Sequence, residues 1–143
     1  MSTPLSPAEA AAAMVPARTL LPRVPVLVPG LSQAAWIDAE GEVATVDLET
    51  ALARARAEAP MVCHARATAR RLGADEGLAA YDVLELYAFV HPARFCTPTP
   101  RGLAEALGLA RPDTLPDTLE DAAQALHSAA ARLLRDLGAR GRG

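Results

Sequence analysis

Two short apolar or β-branched runs, Gln33 to Asp38 and Glu42 to Asp47, are separated only by Ala39, Glu40 and Gly41. That spacing, with a glycine in the connection, predicts a β-hairpin whose buried face is anchored by Trp36. Asp47 then stands where a helix N-cap belongs. From Leu48 to about Glu58, Leu52 and Ala55 face inward while Arg54, Arg56 and Glu58 stay wet, until Pro60 ends the pattern. The next run, MVCHA from Met61 to Ala65, is short, apolar and preceded by a helix, so it reads as a buried strand parallel to a hairpin strand across an α crossover. Arg66 to Leu72 forms a short helix stopped by Gly73. Upstream, Arg23 to Gly30 alternates well enough for a strand, but Pro25 confines it to a sheet edge.

The stretch Ala80 to Leu109 is the part on which the rest is expected to pack. Val83, Leu84, Tyr87 and Val90 recur at helical spacing until Pro92 forbids continuation. A second helix follows, with Thr99 as N-cap, Pro100 at its first position and Gly108 as its C-terminal cap. Four of the five aromatic residues, Tyr81, Tyr87, Phe89 and Phe95, fall in this stretch, which predicts the densest core there. Beyond a Pro/Asp/Thr-rich linker, Ala110 to Asp117, an amphipathic helix from about Thr118 to Leu137 carries the stripe Leu119, Ala122, Ala123, Leu126, Ala130, Leu133, Leu134 and Leu137. It is expected to lie across the sheet. Glu120 and Asp121 near its start and Arg132 and Arg135 near its end suit the helix dipole. Gly138 is expected to cap it.

These elements predict one α/β domain over residues 23 to 137, a small mixed sheet with flanking helices. Residues 1 to 22, rich in proline and alanine, read as a flexible tail with at most a short helix near Ala8 to Met14, and residues 138 to 143 as a flexible end or linker. The chain has 143 residues, enough for one sizeable core. Its net charge of -3 gives no global basic field, so any contact with nucleic acid must be local. The N-terminus has no cationic region and no apolar run long enough for export or membrane insertion, which predicts a cytoplasmic protein with no membrane partner. Cys63 and Cys96, the two cysteines, then read as small buried thiols.

Candidate chemistry is sparse. The pairs Asp38/Glu40 and Asp47/Glu49 have the Asp-x-Glu form that can hold a divalent metal for phosphodiester cleavage. The hairpin turn and the helix cap account for both more simply. Cys63, His64, His91 and Cys96 lack zinc-ligand spacing, and adjacent Cys63 and His64 on a strand point to opposite faces, which argues against zinc and against a Cys-His nucleophile pair. Arg66, Arg70 and Arg71 cluster on the short helix after MVCHA. They are candidates for phosphate contacts, unless they pair with Asp75 and Glu76. Every basic side chain is Arg and none is Lys, so a P-loop lysine is absent and this chain does not hydrolyse ATP by itself.

The run CHARATARRLG, with AYDVLELYAFVHPARFCTPTPRGLAEALGL after it, resembles the N-terminal region of bacterial DinG-type ATP-dependent DNA helicases, over roughly residues 24 to 137. In some members of that group this region is similar to the DEDD family of 3'-to-5' exonucleases, so the resemblance implies a reduced RNase H-like sheet. It also implies loss of catalysis. The family's second block matches His64 but has Ala65 for Asn, Thr68 for the aromatic residue and Ala69 for the catalytic Asp; the last block matches Asp121 but has Pro116 for His.

The resemblance therefore implies a non-catalytic, exonuclease-like accessory domain of a DNA helicase, with DNA and the motor domain of the same polypeptide as partners. No cofactor is expected in this chain; ATP and Mg2+ would belong to a motor outside it. Two alternatives stand beside it: a compact metal-dependent 3'-to-5' exonuclease using Asp47, Glu49 and Asp121 with Mg2+ or Mn2+, and a free-standing interaction domain.

Overall fold

A computed structural model describes residues 24–74, 76–109 and 118–142. The expected tail and the linker 110–117 lie outside them, as does Asp75. The described residues form a mixed α/β fold. Strands β1 (Val26–Pro29), β2 (Gln33–Ile37) and β3 (Val43–Asp47) lead into helix α1 (Leu48–Ala57). Strand β4 (Met61–Val62), helix α2 (Ala65–Arg71), strand β5 (Tyr81–Asp82) and helix α3 (Val83–Val90) follow, then helices α4 (Pro100–Ala106) and α5 (Leu119–Arg142). The sheet order is β3-β2-β1-β4-β5, antiparallel from β3 to β1 and parallel from β1 to β5.

The hairpin forms as its pattern requires. Gly41 sits in its turn at φ 86°, a left-handed conformation that a side chain would resist. Asp38 stabilises the same turn by accepting from the amides of Glu40 and Glu42, both at 2.9 Å.

Helices cover both faces of the sheet. On one side Val26, Val28, Ala35, Ile37 and Met61 pack against α3, α4 and α5, the last contributing Ala123, Leu126, Ala130 and Leu133. On the other, Leu27, Ala34, Trp36 and Val62 pack against Ala51 and Ala55 of α1 and Ala65 and Ala69 of α2. Alternate residues of β1 thus serve opposite cores, as a two-residue repeat dictates. Small alanines on α1 and α2 let these helices approach the sheet closely.

Four expectations need correction. β1 is the middle strand of the sheet, not an edge. The ladder starts at Val26, so Pro25 is spared donating, and its carbonyl accepts from the Met61 amide at 2.7 Å. β4 pairs in parallel with β1 rather than with β2 or β3 of the expected hairpin. The last helix passes through Gly138 to Arg142, with no left-handed cap at that residue; glycine permits such a cap without compelling it. Finally, the aromatic-rich stretch is not uniformly core. Tyr87 is 2% exposed, but Phe89 is 44% and Phe95 87% exposed. The buried positions of α3 are Val83, Leu86, Tyr87 and Val90, and Phe89, two residues beyond Tyr87, is carried to the opposite side of the helix.

Among the described residues no helix is long and apolar enough to cross a membrane.

Tyr87→Ala is expected to lower the unfolding free energy by about 3 to 5 kcal/mol, whereas Phe89→Ala costs no more than about 2 kcal/mol. Denaturant titration separates the two. Equal losses would place Phe89 in the core and contradict the exposed face of α3.

Candidate nucleic-acid interface

β1 and β4 run side by side in the same direction, so their C-terminal ends open on the same edge of the sheet. Chain connections there must leave room for two loops and a helix start. The space left is a cavity of about 220 Å3, lined by Leu27, Val28 and Pro29 of β1, by Cys63, His64, Ala67, Thr68 and Arg71, and by Pro98, Thr99 and Pro100 from the start of α4. Among the described residues its lining contains no carboxylate.

The wall formed by α2 is fixed by local capping. His64 is the N-cap, its Nδ1 accepting from the Ala67 amide at 3.2 Å. Asp82, only 5% exposed, accepts from the Ala65 amide through Oδ2 at 2.8 Å and from the Glu85 amide through Oδ1 at 3.0 Å. One carboxylate therefore serves the first turns of both α2 and α3. The Leu84 amide donates to the Cys63 carbonyl at 3.1 Å and closes the same junction. Loss of a helix cap of this kind costs about 0.5 to 2 kcal/mol. At the other end of α2, Arg71 Nη1 donates to the Gly30 carbonyl at 3.4 Å, tying the helix to the exit of β1.

The three candidate arginines divide between two surfaces. Arg71 lines the cavity. Arg66 and Arg70 lie on the neighbouring solvent face of α2, both exposed, and neither guanidinium makes an ion pair or hydrogen bond among the described residues. The expected partner Glu76 is taken: it pairs with Arg56 at 2.6 Å. The α2 arginines are thus not neutralised by that acid.

Of the three carboxylates of the nuclease alternative, that of Asp47 has a local structural role. Asp47 caps α1, its Oδ1 accepting from the Thr50 amide at 2.7 Å, and those hydrogen bonds hold its carboxyl below the usual range. Glu49 is an exposed acid in the first turn of α1. Asp121 lies in the first turn of α5, its amide donating to Thr118 Oγ1 at 3.0 Å. The start of α5 does meet β3, where Thr45 Oγ1 donates to Glu120 Oε2 at 3.0 Å. Yet among the described residues no group of three or more His, Cys, Asp or Glu side chains is placed to hold a metal ion.

Asp82 and Glu85 were not singled out in the sequence, although Asp-Val-Leu-Glu just before an apolar run is a capping-box pattern. Glu85 does not make the reciprocal half of that box: its Oε2 is buried without a hydrogen bond among the described residues. Its carboxyl is pushed up first by burial and then by the Asp82 charge, with His64 opposing. Burial, reinforced by Asp82 and Cys96, pushes the Cys63 thiol up to about 12. A thiol that resists ionisation this strongly is a packing group, not a nucleophile.

That shift fixes a sign. Cys63 has a folded-state value of about 12 against an ordinary 9.0, so its contribution to stability is complete below pH 9.0 and lost as pH rises toward 12. The stability difference between the parent and Cys63→Ala is expected to narrow across that interval in alkaline denaturant titrations. A constant difference would show that Cys63 ionises as readily folded as unfolded.

In comparisons with known proteins, no family model matches the chain, and neither a curated protein nor a solved structure matches it.

Proposed function

We propose that this chain is a non-catalytic, DNA-contacting accessory domain of a DinG-type ATP-dependent DNA helicase, and that α2 and the cavity beside it form the contact face. The observation that carries the proposal is the pair Arg66 and Arg70, exposed and, among the described residues, without acidic partners, beside a cavity that adds Arg71 and whose described lining has no carboxylate. Phosphate oxygens are the natural complement of such a face, because Arg guanidinium groups meet them in planar, bidentate geometry. The mixed sheet with helices on both faces supports the reduced RNase H-like reading, as does the resemblance between Cys63 and Leu109.

The donor set supports binding rather than cleavage. Two-metal phosphodiester cleavage needs several oxygen ligands converging on the scissile group. Among the described residues the cavity supplies His64, Thr68 and Arg71 but no carboxylate, and position 69, where the resembled family has a catalytic Asp, is an alanine packed in the core. In this reading the domain works in the cytoplasm, presenting DNA to a motor that carries ATP and Mg2+ elsewhere in the polypeptide.

With a net charge of -3, affinity for DNA depends on this local patch and is expected to be weak. Two or three phosphate contacts give a salt slope of roughly -1.4 to -2.1 for single strands. The Arg66→Ala, Arg70→Ala, Arg71→Ala triple variant is expected to abolish most of that slope in a salt titration with single-stranded DNA. An unchanged slope would remove α2 from the contact face.

A further inference from the structure

We infer that Phe95 is a base-stacking platform for single-stranded DNA, the aromatic counterpart of the arginines on α2; the inference rests on the DNA-contacting reading above. Phe95 is 87% exposed, yet the chain on both sides of it is anchored. Arg94 Nη2 donates to the Ala106 carbonyl at 2.8 Å and its amide donates to the His91 carbonyl at 3.1 Å. Cys96, the next residue, packs against the core. Gly102 then lies directly against the backbone of Thr97, so close that a β-carbon there would collide with it. The loop is therefore fastened to α4 while its one large apolar side chain is held in water.

The same loop continues within three residues to Pro98, which with Thr99 and Pro100 forms the cavity wall shared with Arg71. Single-strand binding combines two parts, which this loop and α2 carry between them: cations follow the phosphates, and a flat aromatic face accepts any base. A protein partner would use the ring as an apolar contact and would not require it to be aromatic. Stacking does.

The test uses the full chain and two dye-labelled probes of equal length, oligo-dT and its abasic analogue, followed by fluorescence anisotropy. Phe95→Ala and Phe95→Leu are expected to weaken oligo-dT binding roughly tenfold to a hundredfold. The salt slope and the affinity for the abasic probe stay at parental values, and Phe95→Tyr binds like the parent. A denaturation midpoint equal to the parent's confirms that each variant is folded; should Phe95→Ala not fold, the Leu and Tyr variants decide. Parental affinity in Phe95→Leu overturns stacking. Loss of binding in the triple arginine variant but not in Phe95→Ala leaves the contact face standing and overturns this inference alone. No binding of either probe by the parent overturns both.

Discussion

The carboxylate of Asp82 accepts hydrogen bonds from the first turns of two helices, α2 and α3, at a position almost closed to water. A buried charge is costly unless it is fully hydrogen-bonded, and helix N-termini supply both free N–H groups and a favourable dipole. Asp82 therefore specifies where the two helices begin relative to each other and to the ends of β4 and β5. The Leu84 to Cys63 hydrogen bond locks the same geometry through the backbone. The wall of the cavity depends on this junction, because α2 starts there and carries His64, Thr68 and Arg71 along it.

From that junction the contact face follows by simple steps. β1 is buried on both sides and runs parallel to β4, so the chain must leave both strands at the same edge. Arg71 reaches back to Gly30 and fixes the far end of α2, while the loop before α4 closes the opposite wall. Arg66 and Arg70 remain on the outer side, with Glu76 diverted to Arg56. The positive patch is small, and in a chain of slight negative charge it acts locally rather than as a long-range field.

Features set by neighbouring residues were legible in the sequence. Asp47, Thr99 and Gly41 announce a helix start, a second helix start and a hairpin turn through chemistry confined to three or four residues. Features set by distant pairing were not. Nothing local to Val26–Pro29 says that β4 will join it from the other side, so Pro25 was read as a mark of an edge. The cavity was invisible for the same reason, since it exists only once β1 and β4 lie parallel. Counting aromatic residues misplaced Phe89 and Phe95, because helix rotation and loop anchoring, not ring content, decide which side chains enter the core. Of the arginine cluster, the position on α2 was legible; the absence of a Glu76 partner was not.

The most direct test of the account is a titration of the isotopically labelled chain with short single-stranded DNA, followed by two-dimensional NMR of the backbone amides. The account predicts that shifts concentrate on residues 64–71 and 94–100, with α1 and the exposed strand β3 unaffected. Shifts confined to β3, α1 or α5, or spread evenly over the surface, would contradict it.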